Sequence, residues 1–233
     1  MTTDEPLEAA EPENRLRGTM IVALSLVALA SAATGWVYSQ LPAGARVPMH
    51  WNAAGEIDGY GGAWSIWMLP ATMLGICLLL GALPRIEPRR GHLLRSSRAY
   101  GAVWLAVVTM LGAMQVVVLA TVRGHAIAMN LVALVGLGGV LVVVGNYLGK
   151  VRSNFVFGVR TPWTLSSELS WNKANRFCGR FFVIAGIGMV AMAVCGLTGP
   201  AFLIAAFGAL IAGSIVTVAY SYVVWRHDPH RQN

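Results

Sequence analysis

The sequence predicts an all-α integral membrane protein of six transmembrane helices, N-in and C-in, with a short structured outer loop and an amphipathic inner loop. Three observations predict it: scarcity of charge, six apolar runs of spanning length, and one-sided placement of basic residues. Hydrophobic residues make up 56% of the 233-residue chain and charged residues 12%, where a soluble domain carries about 25% charged. A surface that poor in charge has to face lipid.

The apolar runs lie near Gly18–Gln40, Ala63–Leu83, Tyr100–Val122, Ile127–Leu148, Phe181–Thr198 and Pro200–Val224. Each is close to the ~20 residues that cross ~30 Å of hydrocarbon. None carries Asp, Glu, Lys, Arg or His in its central portion. Pro200 opens the sixth run, where its missing N–H would be unpaired anyway. Glycines punctuate the last three runs. Gly145 and Gly149, one turn apart, read as a small-residue surface for close helix packing.

Orientation follows from the connections. With the N-terminus inside, fifteen of the 17 Lys and Arg fall in inner segments, and only Arg46 and Arg123 fall outside. Such a split satisfies the positive-inside rule. The net charge of +7 therefore sits in short clusters between spans, not along a groove, and no direct nucleic-acid binding is expected. Trp36, Tyr38, Trp64 and Trp67 are expected at the outer headgroup level, and Tyr100, Trp104, Tyr147, Tyr222 and Trp225 at the inner one. Cys77, Cys178 and Cys195 are isolated and read as small packing residues rather than metal or disulfide partners.

Residues 1–17 carry five acids, two arginines and two prolines. They are expected to form a disordered acidic cytoplasmic tail rather than a secretory leader. Beyond it the chain divides into a two-span unit with the outer loop (18–99), a four-span unit (100–226) and a short cytoplasmic tail (227–233).

Two connections are too long to be simple turns. The outer one, LPAGARVPMHWNAAGEIDGYGG, is stiffened by Pro42 and Pro48. Asn52 to Gly55 and Asp58-Gly59 are turn chemistry. Val47–Trp51 and Glu56–Tyr60 then fold back as a hairpin-like cap, with a turn near Ala53 and Ala54 bringing His50 to Asp58. That pair, with Glu56, is a thin metal site, because zinc takes three or four protein ligands. The alternative is a hydrogen bond that fixes the loop. No cofactor is expected.

The inner connection, GNYLGKVRSNFVFGVRTPWTLSSELSWNKANRFCGR, mixes basic, amide, hydroxyl, aromatic and glycine residues. Thr164, Ser166 and Ser167 are helix N-cap types with Glu168 in the first turn. The following helix, with Leu169, Trp171, Ala174, Phe177 and Phe181, is expected to lie on the inner leaflet and lead into the fifth span. Arg160 beside Thr161-Pro162-Trp163-Thr164 reads either as an anion site or as an interfacial anchor.

These two loops carry a family resemblance. Leu41 to Tyr60, LPxxxxVPxHWNxxGxxDGY, resembles the N-terminal domain of unknown function of SdpI-like bacterial membrane proteins. Gly145 to Gly179 resembles the hallmark of their C-terminal SdpI domain. The chain departs from the pattern at Gly61 and Gly62, where a basic residue is frequent, and at Ser153, where proline is usual. The resemblance implies a multi-pass protein of the bacterial plasma membrane. It implies protection of the cell against a secreted membrane-active peptide, as the family's namesake protects against the sporulation-delaying toxin while holding a small autorepressor at the membrane.

Beyond the lipid bilayer, the expected partners are therefore a secreted antimicrobial peptide and a small cytoplasmic repressor. The candidate outer contacts are Pro48, His50, Trp51, Asn52, Gly55, Asp58 and Tyr60. The candidate inner-loop residues are Asn146, Gly149, Lys150, Arg152, Asn154, Gly158, Arg160, Thr161, Pro162, Trp163, Thr164 and Trp171. The competing reading is a signal transducer whose inner loop recruits a cytoplasmic regulator. A transporter is less favoured, because the spans offer only amides such as Gln115, Asn130 and Asn146. An enzyme lacks a visible nucleophile and base.

Overall fold

The structure, a computed structural model, describes residues 5–231, with side chains described from residue 11. Among the described residues, six helices are long and apolar enough to cross a membrane. They are α1 (Glu5–Tyr38), α2 (Met68–Ile86), α4 (Ser97–Val122), α5 (Met129–Leu148), α7 (Glu168–Val194) and α8 (Pro200–Arg226). Helical form is dictated by the solvent, since lipid leaves the backbone no outside hydrogen-bond partner. Between α1 and α2 stand the strands β1 (Arg46–Trp51) and β2 (Ile57–Gly62), followed by a 3₁₀ turn at Ala63–Trp67. Two short helices, α3 (Arg90–Arg95) and α6 (Pro162–Leu165), sit at the opposite end of the bundle.

Helix α4 is the central element, packed against α1, α2 and α5; α5 pairs with α7, and α7 with α8. Ala23, Val27, Met73, Cys77, Trp104 and Val108 form one core between α1, α2 and α4. Leu134, Leu141, Met189 and Ala193 form another between α5 and α7, with Phe202 and Leu203 of α8 against it. A third cluster joins the hairpin to the bundle through Val37, Val47, Ile66, Val117 and Met129. Helix α8 is the peripheral span: 6% of its most apolar window is buried, against 22–28% for the others. Its apolar side chains fit contact with lipid.

Three expectations need correction. Residues 5–17, expected as disordered tail, continue α1, while residues 1–4 lie outside the described residues. Helix propagates easily from an already formed span, and Glu11 pairs with Arg15 at 3.2 Å while Glu13 meets Arg90 of α3 at 2.8 Å. The inner amphipathic segment is no separate surface helix, because Glu168 to Val194 is one uninterrupted helix with no proline inside. Its first turns bury Ser170, Trp171, Ala174 and Asn175. Tyr100 and Trp104, expected at headgroup level, are buried in the core, where the Tyr100 hydroxyl donates to the Leu80 carbonyl at 2.6 Å.

Candidate functional site

The hairpin grows from a short run of residues. Pro48 faces Tyr60, His50 faces Gly59 and Trp51 faces Ile57, with irregular register on either side of His50. Asn52 organises the turn: its Oδ1 accepts from the N–H groups of Ala54 (2.9 Å) and Glu56 (3.0 Å), and its Nδ2 donates to Glu56 Oε2 at 3.0 Å. Gly55 holds φ +86°. That left-handed backbone favours glycine, and a Cβ there would also lie 2.4 Å from the Asn130 side-chain amide on α5, which would have to turn aside.

This register joins His50 Nδ1 to Asp58 Oδ1 at 2.5 Å. Gly59 leaves room for the pair, since a Cβ there would lie 3.0 Å from that of His50. Glu56 is engaged by Asn52 instead. Among the described residues, no three His, Cys, Asp or Glu side chains gather as a metal would need. His50 stays 71% exposed and Asp58 45%, whereas Val47 and Pro48 are buried and Trp51 packs into the hairpin-end cluster. Tyr60 and Trp64 are exposed beside them, and Arg46 stacks over the Tyr60 ring with 5.3 Å to the centroid. The hairpin thus has an anchored face and a presenting face. Gly61, one of the departures noted above, fits because a Cβ would lie 2.5 Å from Ser65 Oγ in the turn that follows.

Beneath the hairpin lies a cavity of about 590 Å³, within the range of small-ligand sites. Its walls come from β1, α2, α4, α5 and α8, with Met68, Met114, Met129, Leu134 and Phe207 among the apolar side chains. Gln115 lines it from α4, and its Nε2 donates to Thr34 Oγ1 (2.8 Å) and the Ile66 carbonyl (3.1 Å). The buried Gln115 Oε1 has no protein partner. Sequence reading noted Gln115 only as an amide within a span; a lone amide in so apolar a run was the available signal.

At the opposite end, the inner motif folds into a plug whose polar groups are mostly spent on one another. Asn154, fully buried, accepts from Val156 N (2.8 Å) and Phe157 N (2.7 Å) and donates to the Arg152 carbonyl (2.8 Å). Trp171 Nε1 donates to the Val151 carbonyl at 2.7 Å, and Asn175 Oδ1 accepts from Val159 N at 2.8 Å. Gly158, at φ +130°, lies so close that a Cβ would sit 2.7 Å from the Trp171 ring. Thr161 and Thr164 cap each other reciprocally around α6. Trp163 Nε1 donates to Ser221 Oγ on α8. Gly149 lies against Arg176.

The anion reading of Arg160 finds no support, because its guanidinium folds back onto the Phe155 carbonyl and the Thr161 N–H is donated to Thr164 Oγ1 at 2.8 Å. Asn146, Lys150, Arg152, Phe155, Arg160 and Pro162 remain exposed. Sequence reading missed three supports of the plug. Buried Glu87 accepts from Arg89 N and Phe155 N. Ser153, where proline is usual, accepts from the Arg89 guanidinium and, through its carbonyl, pairs with His92 Nδ1 at 2.8 Å. Ser167 Oγ donates to Asp228 Oδ2 at 2.5 Å.

Six spans and two terminal motifs define a multi-pass protein of the bacterial plasma membrane. Residues 150–221 match the model of the SdpI/YfhL protein family, and residues 25–74 match a domain of unknown function (DUF1648). The immunity protein SdpI of Bacillus subtilis (strain 168) is 25% identical over 169 residues, covering 71% of this chain and 77% of that protein. No solved structure matches. The chain is thus similar to SdpI-like membrane proteins in both its N-terminal and its C-terminal parts.

Proposed function

We propose that this chain is a membrane immunity protein that protects its cell from a secreted, membrane-active peptide met at the hairpin. The observation that carries this reading is similarity to an immunity protein across most of both chains, together with a hairpin that keeps polar and aromatic groups exposed. His50, Asp58 and Tyr60 are exposed on a frame anchored by Val47 and Trp51. Exposed aromatics supply rigid contact area and the polar pair sets orientation. The proposed orientation places the hairpin outside, where the peptide arrives, and the basic plug inside.

The test is survival and membrane potential of a sensitive bacterial host challenged with sporulation-delaying peptide and unrelated membrane-active peptides. Wild type is expected to protect against at least one of them, and His50→Ala and Asp58→Ala to lose protection at equal expression. Absence of protection by well-expressed wild type would remove the immunity reading.

A second reading is signalling through the plug. The exposure of Arg152, Arg160 and Phe155 on a rigid frame favours it, since it offers an acidic cytoplasmic regulator, such as a small repressor, a basic and aromatic surface. It requires two states with different affinity for that regulator.

A further inference from the structure

At the end of the bundle that carries the basic plug, α5 and α7 leave a groove of about 540 Å³ between them. Gly145, Gly149 and Gly179 line it without side chains, and the stem of Arg176 lies along Gly149, where a Cβ would stand 3.5 Å from its Cγ. Lys150, Arg176 and Arg180 border the groove, all three exposed, and no acid lines it. Among the described residues none of the three enters an ion pair. The Lys150 ammonium lies over the Tyr147 ring, 5.6 Å from its centroid. One turn further along α7 the character changes. Val183 and Ile184 line that part of the groove, and Ile184 is 72% exposed, as a lipid-facing side chain is.

The bias that keeps basic residues at one end of a membrane protein places charge in the connections. It does not gather three cations around one groove, or set one of them within a span. Arg180 follows Gly179, which lies against the Gly145 carbonyl, about one turn inside the end of α5 at Leu148. A guanidinium at that depth is costly without a counter-charge, and it pairs well with phosphate oxygens through parallel N–H donors.

We propose that this groove binds an anionic phospholipid, with Lys150, Arg176 and Arg180 around its phosphate and an acyl chain along Val183 and Ile184. Three cations and no acid favour a headgroup of net negative charge over a zwitterionic one, whose own cation would find no partner there. Basic pockets between spans suit such headgroups. A soluble phosphate or an acidic peptide would satisfy the cations but leave the apolar length beside Ile184 uncovered. A phospholipid covers both. The site lies at the opposite end from the hairpin, so it stands or falls apart from the immunity reading.

The test titrates the purified full chain in detergent with dioleoyl phosphatidylglycerol and with dioleoyl phosphatidylcholine, and reads the bound fraction by native mass spectrometry. The expected result is phosphatidylglycerol bound about tenfold tighter, a scale that one or two cations at a membrane surface supply. Lys150→Gln, Arg176→Gln and Arg180→Gln together should bring the two lipids within about twofold, and Arg180→Gln alone should cost about threefold. A charge-matched variant, Arg95→Gln with Arg98→Gln and Arg226→Gln, alters exposed residues that do not line the groove and should keep the preference. Thermal unfolding establishes that each variant is folded, and Arg180→Gln alone decides the matter if the triple variant is not. Equal binding of the two lipids by wild type overturns the proposal. So does a preference that falls as far in the charge-matched variant as in the groove variant. Displacement of phosphatidylglycerol by millimolar inorganic phosphate or glycerol phosphate would identify a soluble anion as the occupant, and displacement by hexaglutamate an acidic protein segment; either outcome overturns it as well.

Discussion

Gly145 of α5 and Gly179 of α7 face each other so closely that a Cβ on either would stand 2.5–2.6 Å from the carbonyl oxygen of the other. Seven residues along each helix, Gly138 and Gly186 repeat the relationship at 2.5–2.8 Å. The two helices therefore touch backbone to backbone at two levels, a heptad apart on each. Dispersion supplies the attraction in lipid, and it falls steeply with separation.

Gly145→Val and Gly179→Val are accordingly expected to push α5 from α7 and lower stability by roughly 1–3 kcal/mol, the usual range for overpacking. Gly188→Ala is the control, because a Cβ there meets nothing within 4 Å. Thermal unfolding in detergent measures the difference. Equal melting of Gly145→Val and Gly188→Ala would show that the close approach contributes nothing.

The six spans were legible because apolar length is a one-dimensional property, and lipid imposes it without reference to tertiary contacts. The hairpin was legible too, since Asn52 and Gly55 occupy positions a turn demands, but Asp58-Gly59, read as turn chemistry, lies within β2, where Gly59 makes room for His50. The small-residue surface expected at Gly145 and Gly149 is found, with Gly145 against Gly179 and Gly149 against the Arg176 backbone, but that α7 is the partner is not written in local spacing. Tyr100 and Trp104 misled for a related reason. A tryptophan near the end of a span reads as interfacial, and only packing of α1 and α2 against α4 shows it buried. The cavity beneath the hairpin, lined in part by Gln115, requires five elements to converge and left one faint trace, an amide in a span.

Asn154 is the side chain on which the plug turns. Asn154→Ala would strand two N–H groups and one carbonyl at a fully buried position, a loss of about 3 kcal/mol or more. Amide exchange at Val156 and Phe157 should rise while exchange in α1 stays slow. Unchanged protection of those two amides would show that the turn holds without Asn154.

His50 and Asp58 make the opposite prediction. Both are largely exposed, and an exposed pair contributes about 0–1 kcal/mol. His50→Ala should therefore melt close to wild type even where it abolishes protection, so its effect would be on recognition. A large drop in melting temperature would recast the pair as a structural clasp and remove it from the contact surface.

Asp228 carries the pH dependence. The Ser167 hydroxyl holds its carboxyl below the usual range, helped by the His230 N–H and the neighbouring His230 and Arg231 charges, while burial acts in the opposite direction. A group whose folded pKa is depressed contributes stability that is complete above its unfolded value, about 3.9 for Asp, and is lost as pH falls through the folded value. The bond joining the start of α7 to the segment after α8 should thus be intact from neutral pH down to about pH 5 and fail in stronger acid. Asp228→Asn lacks this titration. Its melting temperature should lie below that of wild type near pH 6, and the gap should close toward pH 3 as wild type loses the same interaction. A gap that stays constant over that range would mean that the carboxylate charge contributes nothing, and that Ser167 is held by geometry an amide supplies equally well.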